Sequence, residues 1–108
     1  MENPLIYHLT TLQEWELAQD KGHYESKTFD QDGFIHCSYA HQLETVLKKY
    51  FKHHENLVKL VIDPNRVLHP IKVELNAAKD DDYPHIYGPL NLEAVVQLVF
   101  LDPITSEN

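Results

Sequence analysis

Leu57-Val58-Lys59-Leu60-Val61-Ile62, closed by Asp63-Pro64-Asn65, is the strongest strand signal in the chain. The proline ends the run because its ring fixes φ and removes a backbone donor. Downstream, Ile71-Lys72-Val73-Glu74-Leu75 alternates apolar and charged residues, as a strand does when one face packs and the other meets solvent or a cavity, and Glu74 falls on the polar side. Residues 76–83, with Lys79-Asp80-Asp81-Asp82, read as loop by composition, and Pro84-His85-Ile86-Tyr87-Gly88-Pro89 as a short extended piece pinched between prolines. A final strand is expected over residues 95–101. Upstream, the pattern alternates strand with helix. Leu5-Ile6-Tyr7-His8-Leu9 is β-prone, and Thr10-Thr11 ahead of Leu12-Gln13-Glu14 matches a capping box with Thr11 as N-cap. The helix that follows, over 12–21, lines up Leu12, Trp15 and Ala18 and stops at Gly22. After a polar stretch, Asp32-Gly33 turns the chain into Phe34-Ile35-His36-Cys37, a second short strand. Ser38 is placed to cap a second helix over 39–51, which carries Leu43, Val46, Leu47 and Tyr50 at helical spacing and Lys48, Lys49 and Lys52 near its end. The order β-α-β-α, then mostly strands, predicts an α+β fold with two main helices at one side of a curved antiparallel or mixed sheet.

A chain of 108 residues has room for one domain, so residues 1–108 are expected to form a single unit. Its 43% hydrophobic and 24% charged content is that of a globular protein. The formal charge of −8 repels phosphate backbones and anionic lipid, which argues against general nucleic-acid or membrane-surface binding. The single Cys37 has no internal partner for a disulfide, and the first residues have neither a basic start nor a long apolar run, so a reducing, cytoplasmic setting is expected. The longest apolar stretch, around Val95 to Leu101, is far short of the roughly 20 residues that span a bilayer.

Histidines carry the main functional signal. Of eight in the chain, His8, His36 and His85 each lie in or beside a short strand among apolar or aromatic neighbours, a context surface loops rarely offer. Alternation along the first strand puts Ile6 and His8 on one face and Tyr7 and Leu9 on the other, so His8 points inward. His23, His41, His53, His54 and His69 fall in polar settings and read as surface. A metal site is weakly supported, because these three histidines show neither His-x-x-x-His nor His-x-His spacing, Cys37 has no thiol partner, and Asp80-Asp81-Asp82 reads as a solvated loop. Cys37 and His36 are adjacent on a strand and face opposite ways, so Cys37 reads as a small core residue rather than a nucleophile. Ser38, as a helix N-cap, would sit beside unpaired N–H groups suited to an anion.

Tyr7-His8-Leu9-Thr10, Gly33-Phe34-Ile35-His36-Cys37-Ser38 with Gln42, and Pro84-His85-Ile86-Tyr87-Gly88-Pro89-Leu90 together resemble the small proteins grouped as domain of unknown function 952, found in bacteria and plants. That family is similar in turn to the ADP-ribosyltransferase-like folds, which build a split sheet around a nicotinamide-dinucleotide pocket. The resemblance implies a ligand cleft and NAD as a candidate cofactor. It places His8 where a first-strand residue holds the cofactor ribose and nicotinamide, with Thr10 nearby, and His36 and Ser38 where a second element shapes the pocket. Tyr39 then offers a stacking face, and Tyr87 joins the binding set. The late carboxylate of such folds falls to Glu74 or Glu93, since Pro84-His85-Ile86-Tyr87 stands where it is expected.

Two readings follow from the converging residues: an enzyme with His36, His85 and Glu74 as its catalytic groups, acting on a nucleotide or other small molecule, or a non-catalytic module that keeps the same cleft. A third is an interaction protein presenting Trp15, Tyr24 and Phe29 on an exposed patch, with no convergence of polar groups.

Overall fold

The computed structural model describes residues 4–52, 55–76 and 78–101; His53, His54 and the expected tail at 105–108 lie outside them. In chain order the elements are β1 (Ile6–Thr11), α1 (Leu12–Lys21), β2 (His23–Tyr24), α2 (Phe29–Asp32), β3 (Ile35–His36), α3 (Leu43–Tyr50), β4 (Leu57–Ile62), β5 (Ile71–Asn76), β6 (Asp81–Ile86), β7 (Leu90–Asn91) and β8 (Val95–Phe100), with short 3-10 turns at Ala40–Gln42, Pro64–Arg66 and Leu92–Ala94.

The Leu57–Ile62 run is the middle strand of a three-stranded sheet, β1-β4-β8, and its Val58, Leu60 and Ile62 are fully buried. β1 aligns His8 with Leu60 across it, and a register shift between Val61 and Ile62 marks an irregularity on the β8 side. A second sheet runs β3-β6-β5, and β2 pairs with β7 as a two-stranded ribbon. Every strand pairing among the described residues is antiparallel, which drops the mixed alternative. The two larger sheets meet where Tyr7 and Ser38 exchange backbone hydrogen bonds of 2.8 Å each. One core cluster spans both, joining Ile6, Val58, Leu60 and Ile62 to Ile35, Cys37 and Ile86; a smaller one joins Leu9, Val46 and Tyr83.

Helix α1 follows its local signals. The Thr11 hydroxyl accepts from the Glu14 N–H at 3.2 Å, and Gly22, at φ 90°, returns its N–H to Ala18. The second helix departs from expectation. Both backbone groups of Ser38 are consumed by Tyr7, so the chain is still extended there and Ser38 is not the helix cap. Instead the Gln42 side chain accepts the Tyr39 N–H at 2.9 Å, residues 40–42 make a 3-10 turn, and α3 begins only at Leu43.

The expected loop over 76–83 is mostly a hairpin. Asn76 pairs with Asp81, its carbonyl accepts the N–H groups of Lys79 and Asp80, and Asp80 takes a positive φ of 56°. The buried Gln42 amide donates to the Asp81 carboxylate at 3.0 Å and the Asp82 carbonyl at 2.7 Å, which anchors this acidic strand end. On β5 the alternation holds, but its apolar side is the one left outside: Val73 is 53% and Leu75 66% exposed, while Glu74 turns toward β6. Trp15 and Tyr24 are buried and Phe29 packs against the core, so the exposed patch expected of them does not exist.

Leu60→Ala should lower stability by about 3 kcal/mol, as truncation in a closed core does, whereas Leu75→Ala should change it by no more than about 0.5 kcal/mol. Urea unfolding of both variants checks this burial contrast.

Candidate functional site

His8 projects from β1 on the side of Ile6, while Leu9 turns into the smaller cluster, as strand alternation requires. Its Nδ1 lies 2.6 Å from the His36 carbonyl oxygen, and its Nε2 lies 2.7 Å from the Tyr24 hydroxyl. A carbonyl can only accept, so Nδ1 carries the hydrogen and the neutral ring accepts the Tyr24 hydroxyl at Nε2. Burial pushes the imidazole down to about 4 from its ordinary 6.5, against the opposing pull of the His36 carbonyl. The same burial raises the Tyr24 hydroxyl well above its usual range. Beside this pair the Thr10 hydroxyl donates to Glu14 at 3.0 Å, and Lys27 stands 3.4 Å from the other Glu14 oxygen.

These groups border a cavity of about 440 Å³. His8, Thr10 and Ser38 line it, together with Asp32 and His36 and with Tyr50, Asn76 and Lys79. The Lys79 ammonium sits 4.1 Å over the Tyr83 ring and 5.1 Å from that of Tyr50, and burial together with nearby Lys49 lowers its pKa.

A second cluster adjoins the first through His36. Register places His36 opposite His85 and His85 opposite Lys72, so one face of the β3-β6-β5 sheet gathers His36, His85 and Glu74. His85 Nδ1 lies 2.8 Å from Glu74 Oε1, and the Tyr87 hydroxyl donates to the same oxygen at 2.5 Å. Those two donors, Tyr87 foremost, hold the Glu74 carboxyl below its ordinary value, and Glu74 in turn raises the Tyr87 hydroxyl. Burial lowers the pKa of His85 in spite of its carboxylate partner. Across the cluster His36 Nε2 lies 2.9 Å from Asp32 Oδ2, an arrangement that lowers the Asp32 carboxyl. The His36 and His85 rings meet edge to face at 5.1 Å, and Phe34 stacks on His85 at 4.1 Å. Two acid–imidazole pairs therefore stand ring to ring.

The structure thus brings His8, His36 and His85 into one contiguous group and splits the remaining expected residues. Thr10 and Ser38 belong to the cavity, Glu74 and Tyr87 to the adjoining cluster. Tyr39 joins neither; it lies against His41 and borders a separate groove with Tyr7. Glu93 is exposed on the 3-10 turn before β8. His41 and His69 are exposed, and His23 is half-buried beside Glu25. Gly88 matters here because a Cβ at that position would lie 2.2 Å from the His69 ring. Cys37 is buried and its thiol is pushed up by that burial, the state of a core residue. Among the described residues no group of three or more His, Cys, Asp or Glu could hold a metal ion, and no helix is long and apolar enough to cross a membrane. Glu14, Asp32 and Lys79 are cavity residues that sequence reasoning missed. Glu14 carries a signal, since a residue at N3 of a capping box lies beside the end of the preceding strand; Lys79 carries none.

A chain of this architecture with this histidine group matches the family model described as a protein of unknown function, DUF952, over residues 9–98. The chain belongs to that family. It is similar to protein CC0527 from Caulobacter crescentus, whose crystal structure is 32% identical, covers 91% of this chain and 86% of its own, and superposes with a TM-score of 0.83. The solution structure of CC0527 is 31% identical and covers 95% of this chain and 88% of its own, with a TM-score of 0.80. No curated protein matches the chain.

His8 titrates near 6.5 when unfolded and near 4 when folded, so the unfolded chain binds the extra proton in between. Stability should therefore fall by roughly 3 kcal/mol as pH drops from 7 to 4, with His85 adding in the same direction. The low carboxyls of Asp32, Glu74 and Asp81 hold their contribution until lower pH. Urea unfolding at stepped pH should show most of this decline lost in His8→Asn.

Proposed function

We propose that this protein binds a nucleotide of the NAD or ADP-ribose class in the cleft beside His8, on a split sheet of the ADP-ribosyltransferase-like kind. The observation that supports this reading is the donor set around the cavity. Lys79 supplies a partly buried cation in a chain whose formal charge is −8, and Ser26, Thr28 and Ser38 add hydroxyl-bearing residues to the lining of the same cavity. Such groups suit phosphate oxygens. Glu14 is an acceptor for a ribose diol, and Tyr50 and Phe51 provide ring faces. A volume of about 440 Å³ lies within the roughly 300–1,000 Å³ of small-molecule sites.

In this reading His8 is a positioning group. Both its nitrogens are engaged and it stays neutral at ordinary pH, so it shapes the cavity and holds Tyr24 rather than moving protons. His36, oriented by Asp32 at the wall, is the imidazole placed to exchange a proton with a bound ligand, with His85 and Glu74 standing behind it. Binding with turnover at His36 and binding without it share one cleft, and fold alone does not choose between them. A buried, unpaired Cys37 suits a reducing cytoplasm.

Thermal-shift and calorimetric titration with NAD, ADP-ribose, nucleoside phosphates and divalent metals tests the reading. ADP-ribose or NAD should raise stability by about 2.7 kcal/mol at a hundred times its Kd. Glu14→Gln, which still accepts from Thr10, and Lys79→Met should each weaken binding roughly tenfold or more. A response to zinc alone, or nucleotide binding indifferent to both substitutions, would refute it.

A further inference from the structure

Strand β5 is a sheet edge whose backbone is set to pair. It ends the β3-β6-β5 sheet, and no described strand lies on its outer side. Which of its backbone groups face outward follows from β6. Pro84, opposite Val73, has no N–H, and its carbonyl accepts from Cys37 at 2.9 Å, so Val73 and Pro84 exchange no hydrogen bonds. Tyr87 donates to the Pro70 carbonyl at 2.8 Å, which fixes the same phase from the other end. The even-numbered residues of β5 therefore bond to β6, and the N–H and C=O groups of Ile71, Val73 and Leu75 point away from it. Natural edges are blunted by proline, by a bulge or by charge. The six residues of β5 contain no proline and pair with β6 without a register shift. Val73 and Leu75 stand exposed on the apolar face, and the two charges of the strand, Lys72 and Glu74, are of opposite sign.

We propose that β5 pairs antiparallel with β5 of a second copy of this chain, about a two-fold axis at Val73, so that two three-stranded sheets become one. Charge selects both the partner and the register. Outward groups must meet outward groups, so the self-pairings that overlap most of the strand centre on residue 72, 73 or 74. Centring on 72 sets Lys72 against the partner's Lys72, and centring on 74 sets Glu74 against the partner's Glu74; like charges directly opposite destabilise a sheet. Centring on Val73 instead sets Lys72 against the partner's Glu74 and Glu74 against the partner's Lys72, and aligns Ile71 with the partner's Leu75. Of the three registers, this one alone is complementary in charge, and it engages the outward groups of all three apolar residues. The pairing also reaches the acid–imidazole pair. Both donors to Glu74, from His85 and Tyr87, fall on Oε1, and the partner's Lys72 arrives on the same face of the sheet as that carboxylate. The free edge of the other sheet, β8, has no charged residue to set such a register. A single strand pair lies at the small end of interfaces, so the dimer fills at high protein concentration and dissociates on dilution.

Sedimentation of the full chain across a concentration series reaching about 1 mM should show a monomer–dimer equilibrium. Val73→Pro removes an outward N–H and no bond to β6, so circular dichroism should stay native while the dimer Kd rises roughly tenfold or more. Val73→Lys, which sets two ammonium groups together at the axis, serves if the proline variant is unstable. Lys72→Glu should weaken the dimer by a similar factor. Mixing folded Lys72→Glu with folded Glu74→Lys should restore association that neither variant shows alone, since each charge then meets its opposite. In a mixture of labelled and unlabelled wild type, NMR should detect Val73 of one copy against the partner's Val73, and Ile71 against the partner's Leu75. The Val73 amide should gain exchange protection only as the dimer forms. A chain that stays monomeric throughout, or a dimer indifferent to both substitutions at Val73, overturns the proposal. So does a Val73 amide protected in the monomer, which would mean that the chain covers this edge itself. Association that Lys72→Glu leaves unchanged, or a mixture that associates no better than its parts, overturns it as well.

Discussion

The ring of His8 is the joint on which this architecture turns. It stands on β1 of one sheet, donates to the backbone of β3 in the other, and accepts from Tyr24 on the short ribbon. Each of these bonds is buried or nearly so, where an unmet donor or acceptor carries its full desolvation cost. Together with the backbone exchange between Tyr7 and Ser38, they fix the spacing of the two sheets, and the cavity is the space that this spacing leaves open. A charged ring would have to carry its extra proton out of water, and this burial outweighs the pull of the His36 carbonyl and the Glu14 carboxylate, so the fold selects the neutral form.

From that joint the polar groups extend in two directions. Toward α1 runs the set of Thr10, Glu14 and Lys27, which brings a carboxylate to the cavity edge. Toward β6 and β5 run His36 and His85, each steadied by its own carboxylate. The imidazoles differ in what they can do. His8 is buried at the cavity lining with both nitrogens bonded; His36 is half-buried at the same lining; His85 is buried with one nitrogen unanswered among the described residues. Position relative to the sheets, rather than residue type, separates the three.

Much of this is legible in the residues themselves. The Leu57–Ile62 run, the Thr11 cap and the Gly22 stop are local signals, and the structure follows them because propensity, pattern and packing agree there. The histidine context pointed to convergence for the same reason: a polar ring on the apolar face of a strand must meet a partner. What stayed hidden depended on contacts across the fold. Ser38 looks like a cap until Tyr7 claims its backbone. Asp81 and Asp82 read as loop because nothing nearby announces that Gln42 will anchor them. Alternation on β5 defines two faces but not which one turns inward, and β2 and β7 are two-residue strands that no periodicity can mark. Lys79 enters the cavity by way of a hairpin turn, and its neighbours Tyr50 and Tyr83 come from distant segments.

The protonation state of the joint is open to direct observation. Two-bond proton–nitrogen correlation spectra of the imidazoles, recorded across a pH titration, report tautomer and charge residue by residue. His8 should remain the neutral Nδ1–H form from neutrality down to about pH 5, with no change through the range in which a free imidazole titrates. A His8 ring that gains its proton near 6.5, or that carries its hydrogen on Nε2, would rule out this joint.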